Sequence, residues 1–62
     1  MSNQIISEET KLSICKSAAY GESKEKTAQM HGVTPEQVQQ IWNDNPDKIL
    51  DYQSFYKQMG VI

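Results

Sequence analysis

The sequence predicts an all-helical fold, a small bundle of three to four helices. No stretch alternates polar and β-branched residues as a half-buried strand would, and apolar residues recur instead at helical spacing. At 62 residues the chain is predicted to form one domain with a marginal core, because a chain this short buries only about 60% of its unfolded surface. The predicted helices cover residues 7–20, 24–30, 35–43 and 46–59, after an arm over residues 1–6 whose Ile5 and Ile6 could fold back onto the core.

The first helix is predicted from its caps and its apolar stripe. Ser7 offers a capping oxygen, and Glu8 and Glu9 lie in the first turn, where the helix macrodipole favours negative charge. Gly21 ends the helix, and Ser23 is the predicted cap of the next one. The stripe predicted to face the core consists of Leu12, Ile14, Cys15, Ala18 and Ala19.

A tight turn at His31-Gly32-Val33 is predicted to join the second and third helices. Gly32 can take the positive φ that ends the second helix. Ala28, four residues earlier, is small enough for another helix to cross close above it. Thr27 and Met30 are expected to face inward beside Ala28.

The start of the third helix has several signals in the expected order. Thr34 can cap the helix, Pro35 has its fixed φ at the first helical position, and Gln37 can complete a capping box. Val33 and Val38 have the spacing of a hydrophobic staple. Together these signals define the helix start to within a residue or two.

Residues 24–43 resemble the helix-turn-helix of DNA-binding domains, of the transcription regulator and transposase-invertase type. In that family a small residue, a turn glycine and two later apolar residues hold a recognition helix against its partner helix. The resemblance covers about a third of the chain. The residues that carry it are Ala28, Gly32, Val33, Thr34, Val38 and Ile41.

The third helix is predicted to have two different sides. A step of about 100° per residue puts Val38, Ile41 and Trp42 on one side, and we expect Trp42 to be a core residue. Asn and Gln amides can pair bidentately with adenine in the major groove; the alternative is that they form a solvated surface. The side opposite Val38 carries Glu36, Gln39, Gln40 and Asn43.

The resemblance implies a role for each polar residue near this helix. Gln39, Gln40 and Asn43 would contact base edges, and Glu36 could accept a hydrogen bond from cytosine N4. His31 is expected to be solvated in the turn, with a phosphate contact as the alternative when it is protonated. The remaining predicted DNA-binding residues are Lys24, Lys26 and Thr34 at flanking phosphates, together with Gln37.

The charge of the chain opposes DNA binding. Six Lys and no Arg stand against eight acidic residues, which gives a net charge of −2. Domains that neutralise phosphates are usually basic. The excess of acid lies in residues 33–62, where two Lys face four acidic residues, whereas the charges of residues 1–32 cancel.

The fourth helix has more apolar residues than one face can bury. Asn45 or Asp47 is the expected cap, and Gly60 ends the helix. Leu50 and Phe55 lie off the main apolar stripe, so either a homodimer through this helix or the chain's own first helix and arm would cover them. The main stripe consists of Ile49, Tyr52, Tyr56 and Met59, and the candidate protein interface of Leu50, Phe55, Tyr56 and Met59.

Several function classes are disfavoured. No Ser, Cys or carboxylate has an identifiable base partner, so we expect no enzyme activity and no cofactor. One Cys and one His cannot form a zinc site, and Cys15 is expected to act as a small hydrophobe in a reducing, cytoplasmic setting rather than as a reactive thiol. No apolar run approaches the roughly 20 residues of a membrane span.

Two functions therefore remain. The first is a small sequence-specific transcriptional regulator that reads double-stranded DNA with the third helix. The second is an acidic protein-binding adaptor or inhibitor that keeps the same scaffold and acts on transcription machinery, similar in size and charge to phage proteins of that kind. The scaffold alone cannot decide between them, because it serves both uses.

Overall fold

The computed structural model describes residues 6–61, which form four α-helices and no strand. The predicted all-helical fold is confirmed. The helix bounds differ from the predicted ones by one residue at most. The predicted packing of Ile5 on the core concerns a residue outside the described range. The helices are α1 (Glu8–Tyr20), α2 (Lys24–His31), α3 (Pro35–Asp44) and α4 (Pro46–Met59).

The predicted helix caps are present with one exception. Ser7 Oγ accepts from the Thr10 N–H and Ser23 Oγ from the Lys26 N–H, at 3.2 and 3.1 Å. Asn45, however, does not cap α4 with its side chain; its Nδ2 donates to the Ile41 carbonyl at 2.8 Å. Asn45 therefore closes α3, and it is the one residue between α3 and α4.

Helix α4 packs mainly on α1, whereas α2 packs mainly on α3. Lys16 Nζ lies 5.6 Å from the centre of the Tyr52 ring, and the Tyr20 ring stacks on Tyr56 with centroids 4.5 Å apart. The second contact lies four residues after the first in both helices, so α1 and α4 run parallel. Parallel packing is feasible here because α2 and α3 connect the two helices.

The core lies where α1, α2 and α3 meet. The indole Nε1–H of Trp42 donates to the Ile14 carbonyl at 2.8 Å, which ties α3 to α1. Trp42 was predicted to be a core residue; it is partly buried and packs against the core cluster. The buried core cluster consists of Ile14, Cys15, Ala28, Val38 and Ile41, with Ile6, Val33, Trp42, Ile49 and Tyr52 packed against it.

Met30, predicted to face inward, is exposed, and so is Met59, which was assigned both to the apolar stripe of α4 and to the candidate protein interface. Met30 is 60% exposed because it lies two residues beyond buried Ala28, about 200° further around α2. Met59 is also 60% exposed. It follows Tyr56, the residue that stacks on the last residue of α1, so the last turn of α4 extends past the end of α1.

Replacing Trp42 with phenylalanine should weaken the junction of α1 and α3. Trp42→Phe keeps an aromatic ring but removes the hydrogen bond to Ile14, so the free energy of unfolding should fall by about 1–2 kcal/mol. The measurement is urea unfolding followed by circular dichroism. Tyr52→Phe is the control, because it removes only the hydroxyl of a half-buried aromatic residue of α4 and leaves the bond from Trp42 to Ile14 in place. Equal losses in the two variants would contradict the assignment.

Stability should also fall in alkaline solution. Burial raises the pKa of Cys15 above 9.0, although Lys48 acts in the opposite direction, and burial raises the pKa of Tyr56 above 10.0. A raised pKa in the folded state stabilises the protein below the unfolded-state pKa, and this stabilisation is lost as the pH rises toward the folded-state value. Unfolding by urea should therefore occur at lower urea concentration at pH 10.5 than at pH 8. Tyr56→Phe should show a smaller decrease, and an unchanged decrease would exclude Tyr56 as a source.

Candidate nucleic-acid interface

The turn between α2 and α3 is defined by backbone geometry. Gly32 has a φ of 67°, in the left-handed region, and the Val33 N–H donates to the Ala28 carbonyl at 3.1 Å. A Cβ on Gly32 would meet no atom within 4 Å, so glycine is favoured for its φ and not for space. His31, predicted in the turn, is the last residue of α2 and half-buried.

The capping box at the start of α3 is complete. The Thr34 N–H donates to Gln37 Oε1 at 2.9 Å, and the Gln37 N–H donates to Thr34 Oγ1 at 3.1 Å. The predicted capping box is therefore present, and the two side chains that form it are also among those predicted to contact DNA. Each keeps a donor for a ligand, the Thr34 hydroxyl and the Gln37 amide group.

The amide side of α3 faces outward. Gln40 and Asn43 are exposed, and Gln39 is half-buried. Gln39 Nε2 donates to Asn43 Oδ1 at 3.0 Å, and Gln40 Nε2 donates to the Asp44 carboxylate at 3.2 and 3.3 Å. The Gln39–Asn43 pair does not use the Asn43 amide nitrogen or the Gln39 carbonyl oxygen, which remain a donor and an acceptor for a ligand. This combination of a donor and an acceptor matches the major-groove edge of adenine.

These amides line an open groove of about 370 Å³ beside the start of α2. Lys24 is the cation in its lining, and Glu25 and Glu36 are its carboxylates. Lys26 is exposed two residues further along α2. The groove thus has mixed charge with an excess of acid, and acidic groups do not enclose it completely. Its lining residues are Lys24, Glu25, Pro35, Glu36, Gln39, Gln40 and Asn43.

The α4 residues predicted to form a protein interface do not share one surface. Tyr56 is buried, and stacks on both Tyr20 and Tyr52, so the structure places it in the packing of α1 on α4. Leu50 and Phe55 are both exposed but lie about 140° apart around the helix. Leu50 therefore belongs to a different flank of α4 from Phe55.

The first helix, one of the two predicted covers of α4, does pack on it, but it leaves Leu50 and Phe55 exposed, and its Tyr20 was not predicted as part of this region. Tyr20 is 49% exposed and lies over Tyr56, beside the exposed end of α4. No signal within either helix could have paired them, because the contact depends on the parallel packing of α1 and α4. The exposure of Tyr20 could be inferred only from its position at the end of a helix, before Gly21.

The described residues contain no metal-binding cluster and no membrane-spanning helix. Within residues 6–61, no group of three His, Cys, Asp or Glu side chains is arranged to hold a metal ion. None of the helices in that range combines the length and the apolar character of a membrane span. Comparison of the chain with protein-family models, curated proteins and solved structures finds no match.

Loss of the capping box should destabilise the fold. Thr34→Ala removes an N-cap oxygen that accepts a backbone N–H, and should lower the free energy of unfolding by about 1 kcal/mol. Gln40→Ala is the control, because Gln40 is exposed and its side chain bonds only Asp44 among the described residues. The two variants are compared by urea unfolding. If Thr34→Ala lowers the free energy of unfolding no more than Gln40→Ala does, the cap does not contribute to stability.

Proposed function

We propose that the chain is a small DNA-binding transcriptional regulator that places α3 in the major groove. The observation that carries the proposal is the outward amide face of α3 beside the open groove at the start of α2. The capping box and the Trp42 bond to α1 hold this face in one orientation. A short, rigidly held helix with such a face is typical of major-groove recognition.

The base contacts follow from the side chains of α3. The Gln39–Asn43 pair would read adenine with the Asn43 amide group and the Gln39 carbonyl. Glu36, near the start of the helix, would accept from cytosine N4. A good bidentate contact of this kind contributes about 1–3 kcal/mol of discrimination between bases.

The phosphate contacts are few. Lys24 and Lys26 at the start of α2 and the Thr34 hydroxyl would contact the backbone, whereas Glu25 and Glu36 would repel it. Two cations give a slope of about −1.8 when the logarithm of affinity is plotted against that of salt concentration. One copy of the chain should therefore bind weakly, and sequence reading would depend on the amides more than on charge.

The salt dependence of DNA binding tests this proposal. Affinity for a random duplex should fall about tenfold between about 50 and 200 mM salt, as expected for two neutralised phosphates. The double variant Lys24→Ala/Lys26→Ala should bind more weakly and lose most of this dependence. The measurement is fluorescence anisotropy of a labelled duplex.

Lys57→Ala is the matched control, because Lys57 is an exposed lysine at the far end of α4. Its removal should leave both the affinity and the slope unchanged. Equal effects of Lys57 and of the α2 lysines would mean that binding is diffuse and does not use α3.

The Asn43→Ala variant should keep the slope but reduce the preference between duplexes of different sequence.

A second function is favoured by the acidity of the groove and the exposed aromatic residues. Glu25 and Glu36 flank the amide face, and Phe55 is 54% exposed on α4. These features fit a protein-binding adaptor or inhibitor that acts on transcription machinery and does not touch DNA. Absence of any complex with duplex DNA at about 50 mM salt would select this function over the first.

A further inference from the structure

The polar side of α3 contains a row of residues that recur at every fourth position. Side chains four residues apart are neighbours on the surface of a helix. All members of the row are exposed, and the last of them is the final residue of α3. A carboxylate therefore lies at each end of the row, and an amide lies between them. The members of this row, which we call the acceptor row, are Glu36, Gln40 and Asp44.

Asp44 fixes the orientation of the Gln40 amide. Gln40 Nε2 donates to both carboxylate oxygens of Asp44, at 3.2 and 3.3 Å. An ionised carboxylate only accepts hydrogen bonds, so the end of the amide that faces it must be the nitrogen. The Gln40 carbonyl oxygen is therefore at the other end of the amide, where it can accept from a ligand. Gln39 lacks this constraint, because its partner Asn43 can donate as well as accept.

Helix stability does not account for Asp44. The C-terminal end of a helix carries partial negative charge, which disfavours an acidic residue there. The last turn of α3 has no basic residue, and the ion pair found among the described residues joins Lys11 to Glu8 instead. The side-chain bond that the structure shows for Asp44 is the one from Gln40. The role that remains for Asp44 is to orient Gln40.

The chemistry of the acceptor row suits bases that present a donor. In the major groove, cytosine presents the donor N4 and adenine the donor N6, whereas guanine presents the acceptors O6 and N7 and thymine the acceptor O4. Helix α3 has no Lys or Arg that would donate to guanine, and Lys24, the cation of the groove, belongs to α2. A guanine or thymine edge against this row would place acceptors against acceptors.

We propose that Asp44 is a positioning residue for base recognition, which holds the Gln40 carbonyl as the contact for the exocyclic amino group of a cytosine or adenine. The inference rests on the proposed DNA-binding function and specifies the chemistry of one position in its target. Without the Asp44 carboxylate, the Gln40 amide would be free to turn over and donate to guanine or thymine. Asp44 thus determines what Gln40 reads without contacting a base itself.

The test removes single groups from the DNA. The probe is a duplex that the wild-type protein selects from a random library at about 50 mM salt. The base pair that Gln40 contacts is identified as the one whose preference is lost in Gln40→Ala. Replacing the cytosine or adenine of this pair with an analogue that lacks the amino group should weaken binding about tenfold, as expected for one good base contact. Replacing its purine with a 7-deaza analogue, which lacks the N7 acceptor, should leave the affinity unchanged.

Asp44→Asn distinguishes orientation of Gln40 from a purely structural role. Asn can donate as well as accept, so the Gln40 amide is no longer held in one orientation, and removal of the amino group should then weaken binding only about twofold. Asp44→Glu keeps a carboxylate and should keep the wild-type loss. Asp51→Asn is the matched control, because it removes the same charge from an exposed position on α4. It should bind all duplexes more tightly and leave the effect of the amino group unchanged.

Failure of this inference and failure of the proposed function give different results. If the library yields no bound duplex, DNA binding is excluded and the inference falls with it. If a duplex is bound but Gln40→Ala changes no base preference, only the inference is overturned. The same holds if Asp44→Asn keeps the wild-type loss, or if the 7-deaza analogue weakens binding more than removal of the amino group does.

Discussion

The hydrogen bond from the Trp42 indole to the Ile14 carbonyl is the contact on which the arrangement of this protein depends. It joins residues that are far apart in sequence and ties the third helix to the first. With Val38 and Ile41 buried on the same side, it determines which side of α3 remains outside. The amide face is thus a consequence of how the opposite side is anchored.

Local signals in the sequence account for most of the fold. The capping box at Thr34 and Gln37 and the left-handed Gly32 depend on residues within a few positions of each other, and they could be predicted for that reason. Met30 and the side chain of Asn45 were predicted wrongly. Their environment depends on where neighbouring helices end and how they pack, which helical periodicity does not describe.

The candidate site could be predicted less completely than the fold. The outward direction of Gln39, Gln40 and Asn43 follows from the spacing of α3, and the structure agrees with it. The bonds that these amides make to each other and to Asp44 depend on rotamers, and the groove depends on the position of α2. The stacking of Tyr20 on Tyr56 joins the last residue of α1 to the last part of α4, and neither helix alone has a sequence pattern that predicts it.

The single-residue junction at Asn45 has a mechanical consequence. Asn45 donates to the Ile41 carbonyl and is followed by Pro46, whose φ is fixed. These two constraints restrict the angle between α3 and α4. A movement of α4 on α1 would therefore be passed directly to α3 and to the amide side chains on its outer face.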